Sequence, residues 1–392
     1  MKRILFIIIT VSYAVFMNAQ STFDNILQSI EANNTTLKAY MEQAKADKIA
    51  NKTGINMENP EVEFAYLWGS PSEEGKRKDL SITQSFDFPT AYRYKSQLSD
   101  GKNVQVDLVY EQQRRVVLQQ ARLLCVELAY QMKINQQLTE RANYAKELSD
   151  AYQKRFDQGD IDILERNKTK LDLLNSEKAL QVNEVEINTL KAELQRLNGE
   201  QPIVIASMEY PGFIFPLSFI EWFDKVKDNN PSLRIAEQEI ALSKKQEQLT
   251  KALNLPKFSA GYTSERVAGT TFQGVSVGIS IPLWEGKNTV KHQKAQTVAS
   301  QMQYDDTKIQ FRNALKNQHD KASKLGILLK EYQNALDVTN NRDLLKKALD
   351  KGQLSLINYL LELSVYYETV DKYLETERDY QLAIADLSQW ER

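Results

Sequence analysis

Few side chains in this sequence carry the chemistry that enzymes use. The two histidines, His292 and His319, lie on one long helical stretch with no cysteine paired to either. That pattern reads as solvated helix surface rather than as metal ligands. The one cysteine, Cys125, falls on the apolar side of a helix, excludes an intrachain disulfide and reads as a buried small residue. Glu140, Glu147 and Asp150 are spaced as a wet helix face. The sequence holds no nucleophile elbow, zinc-binding helix motif or phosphate loop. It therefore predicts no enzyme and no cofactor. The residues with most to do are two glycine turns, Arg155-Phe156-Asp157-Gln158-Gly159 and Leu349-Asp350-Lys351-Gly352. Apolar side chains follow each reversal: Ile161 and Leu164 in one, Leu354 and Ile357 in the other. Simple hairpin packing fits them, and so does an exposed docking surface.

The elements that position these turns are long helices. From Val104 to Phe156, apolar or small residues recur at Val117, Ala121, Leu124, Leu128, Leu138, Ala142, Ala145, Tyr152 and Phe156, with Gln131, Asn135 and Ser149 as polar rungs. Alternating four- and three-residue steps kept this long imply a left-handed supercoil. A helix from Thr90 to Gln158 would be roughly 100 Å long, about three times the thickness of a bilayer's hydrocarbon core. A return helix follows from Ile161 to Asn198, and residues 200–217 form an irregular apolar connector with Pro202, Pro211 and Pro216.

The N-terminus, Met1-Lys2-Arg3, an apolar run from Ile4 to Phe16 and then Met17-Asn18-Ala19, predicts a signal peptide over residues 1–19. No later segment is apolar enough for a membrane helix. A net charge of −2 gives no support for nucleic-acid binding.

Two stretches change period from helical to two. In the hairpin 61–88, Val62, Phe64, Tyr66 and Trp68, then Leu80, Ile82, Phe86 and Phe88, fall on one face. In the hairpin 257–282, Phe258 and Tyr262, then Val275, Val277, Ile279 and Ile281, do the same. Small or polar residues occupy the opposite faces. Transmembrane β-strands have this apolar, aromatic-flanked pattern, and a half-buried soluble sheet alternates in the same way. Four strands cannot close a barrel with a lumen, and open edges are costly in lipid, so a membrane reading requires strands from several chains.

The order then repeats. Asn33-Asn34-Thr35-Thr36-Leu37 is matched by Asn229-Asn230-Pro231-Ser232-Leu233, Pro60 by Pro256, Phe88-Pro89 by Ile281-Pro282 and Gly159 by Gly352. The sequence predicts two copies, 20–199 and 218–392, each a helix, a β-hairpin and a long helical hairpin turning at Gly159 or Gly352, joined by an equatorial connector at 200–217. In the second copy the helices expected are 218–253, a rod from Trp284 to Asp350, and 354–390.

The duplicated order, the strand ends Phe88-Pro89 and Ile281-Pro282-Leu283-Trp284, and the two glycine turns resemble the TolC-like outer-membrane efflux protein family over essentially the whole mature chain. The resemblance implies a mainly α fold with transmembrane β: a homotrimer whose 12-stranded outer-membrane barrel sits over a periplasmic α-helical coiled-coil tunnel. It implies an outer-membrane location with a long periplasmic extension. The implied partners are outer-membrane lipid, a periplasmic membrane-fusion adaptor and, through it, an inner-membrane pump of RND or ABC type. Efflux of drugs or metal ions and export of proteins are both family roles, and the short hairpin loops favour small toxic solutes. A periplasmic coiled-coil scaffold with soluble hairpins is the reading from another class. By resemblance, the tip residues Phe156, Gly159, Asp160, Ile161, Leu164, Gly352, Leu354, Ile357, Asn358, Leu361 and Glu362 would dock the adaptor and gate the channel. Well-known members carry acidic residues six and nine positions past the second glycine; this chain has Asn358 and Leu361 there, Glu362 one step on, and Glu165 and Lys168 in the first copy. An anionic gate gives way to a hydrophobic or mixed one, although Asp157, Asp160 and Asp162 could keep the mouth negative.

Overall fold

The computed structural model describes residues 23–70, 75–339 and 342–391; the expected signal peptide and the centre of the first hairpin loop lie outside them. Helix α1 covers 23–33 and α2 Thr35–Ala50, followed by strands β1 (Glu61–Trp68) and β2 (Lys76–Phe86). The rod α3 spans Pro89–Asp157 and α4 returns over Ile163–Leu197. Beyond the connector come α5 (Phe219–Val226), α6 (Pro231–Leu253), β3 (Lys257–Val267) and β4 (Thr270–Ser280). The chain closes with α7 (Thr289–Val338), α8 (Arg342–Asp350) and α9 (Leu356–Ser388).

Three helices expected to be continuous are interrupted, two of them at a capping asparagine. The N-terminal helix breaks at Asn34, whose Oδ1 accepts from the Leu37 N–H at 2.9 Å. The helix expected over 218–253 breaks at the equivalent Asn230, whose side chain accepts from the Ser232 N–H at 2.8 Å. There Pro231 also lacks an N–H and disfavours helix in the residue before it. The second rod begins five residues late, at Thr289, after Asn288 adopts φ +65°. It stops at Val338, and α8 resumes at Arg342.

The chain divides into two compact units, each drawing on both halves of the sequence. One takes residues up to Ala39, Gln113–Asn229 and residues from Arg312 onward; the other takes Tyr40–Gln112 and Asn230–Phe311. In the first unit, Phe23, Ile26, Leu27 and Ile30 of α1 pack with Val117, Ala121, Cys125 and Leu128 of α3 and Leu190, Leu194 and Leu197 of α4. Much of the expected ladder is buried there, and two of its polar rungs are satisfied. Asn183 of α4, itself buried, donates to Gln131 Oε1 at 2.7 Å and accepts from Asn135 at 2.8 Å. A second stripe on α3, including Val126, Tyr130 and Leu148, is buried as well, with Tyr130 packed on Val370 and Leu374 of α9. Burial lifts the Cys125 thiol to about 12, in keeping with its reading as an inert core residue.

His319 departs from the sequence reading. It is buried, stacked on Phe215 at 4.8 Å between ring centroids, and its Nε2 lies 2.7 Å from the Pro216 carbonyl. The apolar connector folds back onto α7 and covers it, which helical periodicity could not foretell. His292 is exposed, as expected.

Candidate functional site

The sheet belongs to the second unit. Its four strands are antiparallel in the order β1-β2-β3-β4, so β1 and β4 each pair on one side only among the described residues. The hairpin joining β3 to β4 turns on Ala268 and Gly269, both with positive φ, as a two-residue turn that matches strand twist requires. The pairing register decides which side chains share a face, because directly opposed residues point the same way. Val62 opposes Ile82, Ile82 opposes Tyr262 and Tyr262 opposes Val275, a row across all four strands. Phe64 opposes Leu80, and Phe86 opposes Phe258, which opposes Ile279. Tyr66, Trp68 and Val277 follow the same alternation, while Phe88 and Ile281 lie just past the strand ends. This face is open: Val275 is 86% exposed and Val277 84%. On the other face, rows such as Glu61–Thr83–Gly261–Ser276 and Glu63–Ser81–Thr263–Gly274 are polar or small. Near the loop end of that face, Arg77 pairs with Asp79 at 2.9 Å and Glu265 at 3.1 Å.

The two glycine turns meet within the first unit. Gly159 has φ +79° and Gly352 φ +67°, left-handed values that glycine adopts without a Cβ penalty. The Gly159 N–H bonds Phe156 O and the Asp160 N–H bonds Arg155 O, each at 2.9 Å; Gly352 to Leu349 and Gln353 to Ala348 repeat the pattern. Orphan carbonyls at both helix ends are thereby satisfied. The returning helices are capped in turn. Asp162 accepts from the Leu164 and Glu165 N–H groups at 2.8 and 2.9 Å, and Ser355 caps Asn358 at 3.3 Å. Asp162 is therefore a structural cap as well as a charge.

Between the turns, Leu148 and Tyr152 of α3 form a core with Leu356, Tyr359 and Leu363 of α9. Ile161 and Leu354, expected to be exposed, are half-buried against this core. Leu164, Ile357, Leu361, Asn358, Glu362 and Asp160 are exposed, whereas Phe156 is half-covered by the Arg166 guanidinium, 4.6 Å from its ring centre. Sequence reasoning missed Ile163 and Leu344, both exposed here, and it missed Tyr359. Spacing from Leu356 through Tyr359 to Leu363 carried that last signal. Tyr359, fully buried, donates to Tyr144 Oη at 2.5 Å; burial and then this bond push its hydroxyl far above the usual phenol range. Arg141 forks onto Asp371 with Nη1–Oδ2 at 2.9 Å and Nη2–Oδ1 at 2.5 Å, and lies 4.4 Å over the Tyr367 ring. Burial raises the Tyr367 hydroxyl to about 12 and also raises the neighbouring Asp172 carboxyl.

An apolar stripe on α4 is left exposed by the described residues. Leu164 (72% exposed), Leu171 (60%), Leu174 (59%), Val182 and Val185 recur at close to heptad spacing, while the same helix buries Leu190, Leu194 and Leu197. No helix of the described residues is long and apolar enough to cross a membrane, and no group of His, Cys, Asp and Glu among them is arranged to hold a metal.

No protein-family profile and no curated protein matches this sequence. Its fold, a small antiparallel sheet set among long paired helices, is that of TolC-like outer-membrane channels. Crystal structures of CusC share it over 94% of this chain and 91% of theirs, at 12% identity and a TM-score of 0.77; they are described as showing conformational changes that accompany folding and transmembrane channel formation. The CmeC outer membrane channel of Campylobacter jejuni matches 94% of this chain and 85% of its own at 14% identity (TM-score 0.75). The outer membrane protein VceC of Vibrio cholerae matches 96% of both chains at 12% identity (TM-score 0.75).

Proposed function

We propose that three copies of this duplicated chain assemble into an outer-membrane export duct. Their sheets close a 12-stranded barrel and their helices form a periplasmic coiled-coil tunnel through which small toxic solutes, drugs or metal ions, leave passively. A periplasmic adaptor docks on the exposed tip residues Leu164, Ile357 and Leu361, and an inner-membrane pump supplies the energy. One observation carries the reading: a four-stranded sheet with an apolar row across all four strands, Val62–Ile82–Tyr262–Val275, and, among the described residues, two unpaired edges. Left open in lipid, those edges would strand backbone donors and acceptors at several kcal/mol each. Pairing β4 of one copy with β1 of the next removes every edge and turns Val62, Phe64, Tyr66, Trp68, Leu80, Ile82, Phe86, Phe88, Phe258, Tyr262, Val275, Val277, Ile279 and Ile281 toward lipid. The opposite rows of Ser, Thr, Gly and Glu then line water. The fold shared with CusC and CmeC, named as channels, supports the same reading. At the tip, Asn358 and Leu361 occupy the expected gate positions, so the constriction is of mixed polarity.

The test is extraction and conductance. The protein should remain in outer membranes washed with high salt, require detergent, run as a trimer by native mass spectrometry, and form steps of ion current in a planar bilayer. Release by salt as a monomer would overturn the reading and favour a soluble scaffold.

A further inference from the structure

The pairing register also sorts the sheet's charges. The strands' four carboxylates, Glu61, Glu63, Asp79 and Glu265, all lie on the face of small and polar residues, together with Arg77 and Lys257. The apolar face carries Lys76, Lys78 and Arg266 and, among the described residues, no acid. All three cations stand at one end of it. Tyr66 opposes Lys78, Lys78 opposes Arg266 and Arg266 opposes Thr271, while Trp68 opposes Lys76. At about 3.3 Å per residue, this row lies roughly 13 Å along the strands from the row of Val62, Ile82, Tyr262 and Val275. It sits next to the hairpin turns; at their other ends the strands lead to α2, α3, α6 and α7. Lys76, Lys78 and Arg266 are exposed, and none joins an ion pair or a side-chain hydrogen bond among the described residues. Lys78 Nζ lies 5.6 Å from the centre of the Tyr66 ring. Glu73 and Glu74, in the first hairpin's loop, lie outside the described residues; Lys78 and Arg266 are set back from that loop within the paired register.

Protection of a sheet edge does not account for these cations, because Lys78 and Arg266 belong to β2 and β3, the two central strands. On a lipid-facing surface a cation is costly at mid-depth and tolerated near the interface, where a long stem lets the charge reach the headgroups. Trp and Tyr favour that same level. Three cations with no acid on their face require an anion from outside. The anion at headgroup depth is phosphate, which arginine's planar fork grips and lysine meets as a point charge. Resting on the reading of this face as lipid-exposed, we propose that Lys76, Lys78 and Arg266 form a binding site for the phosphate of an anionic lipid in the outward leaflet. Trp68 and Tyr66 flank the site and pack against the lipid's backbone and upper chain. A phosphate whose charge an attached amine already balances is a poor occupant, since the three cations would then gain little.

The experiment uses the full chain in neutral detergent with equal amounts of phosphatidic acid and phosphatidylcholine, and native mass spectrometry counts the lipids retained. Phosphatidic acid should be retained preferentially. Lys78→Gln with Arg266→Gln should weaken its retention roughly thirtyfold, about fivefold for each cation removed. Lys78→Arg with Arg266→Lys keeps the charge and should keep the lipid. Arg77→Gln with Lys257→Gln removes as much charge from the other face and should also leave retention unchanged. All four positions are exposed, and an unchanged thermal midpoint verifies folding. Equal retention of the two lipids, or an equal loss in the two charge-removing variants, would overturn the site and leave the duct standing. So would displacement of phosphatidic acid by an equimolar amount of inorganic phosphate, since the lipid would then contribute nothing. A chain that retains neither lipid and leaves the membrane in high salt fails the duct reading itself, and the site with it.

Discussion

The α4 stripe yields the sharpest prediction, because it separates folding from assembly. Leu171 and Leu174 are 60% and 59% exposed in the single chain. Fully burying a leucine stabilises by roughly 1.5–3 kcal/mol, so each has about 1–2 kcal/mol still to gain in an assembly. The double change Leu171→Glu, Leu174→Glu removes about 2–4 kcal/mol at each interface. A closed trimer has three such interfaces and loses about 6–12 kcal/mol, a factor of roughly 10⁴–10⁹ in its association constant. Within the chain the same change is mild: both positions face solvent, glutamate is a good helix former, and the effect on folding should be about 0.5 kcal/mol or less. Native mass spectrometry should therefore show monomer in place of the trimer proposed for the parent, while far-UV circular dichroism and its thermal midpoint stay within a degree or two. An intact trimer would refute the assignment of this face to the subunit contact. A chain that unfolds would refute the claim that the stripe is left exposed.

Three further outcomes follow from particular side chains. Val275→Lys, at mid-strand on the apolar face, should destabilise the membrane-inserted protein by about 2–4 kcal/mol per copy, whereas Ser276→Lys on the opposite face should be tolerated; heat-modifiability on gels reads both. The Asp172 carboxyl is raised above its ordinary 3.8 by burial, so the fold favours its protonated form. The stability it contributes is fully present below 3.8 and is lost as pH rises through the folded-state value, so Asp172→Asn should raise the thermal midpoint at pH 7 and leave it unchanged at pH 3. Equal gains at both pH values would exclude titration as the cause. Cys125, its thiol raised to about 12 by burial, should resist a thiol-disulfide reagent at pH 8 until denaturant opens the core of α1, α3 and α4. Labelling of the native protein at the rate of a free thiol would contradict that burial.

How far the candidate site was legible in the sequence varied with the kind of side chain. Residues fixed by the backbone beside them were legible: Gly159 and Gly352 at the turns, and the period-two runs of β1 to β4. Residues whose surroundings come from distant chain were not. Ile161 and Leu354 looked exposed because nothing within one turn covers them; the core formed by α3 and α9 does. His319 looked solvated on its own helix, yet Phe215 and Pro216 lie over it. Leu148 and Tyr130 lie off the main ladder of α3, which is read as one stripe when only one neighbour is assumed. The structure gives that rod α9 as a second neighbour.

By itself the sequence determined which stretches are mainly helix and which are strand, and that the chain reverses at Gly159 and Gly352. Period, capping chemistry and a glycine's conformational freedom are local properties, set within a few residues. Only the tertiary structure decided the strand register that gathers Val62, Ile82, Tyr262 and Val275 into one row. It alone decided that Tyr359 meets Tyr144, and that Leu164, Leu171 and Leu174 of α4 stay exposed among the described residues. Pairing across more than a hundred residues is selected by the combined burial of many side chains, and no short window of sequence contains that sum.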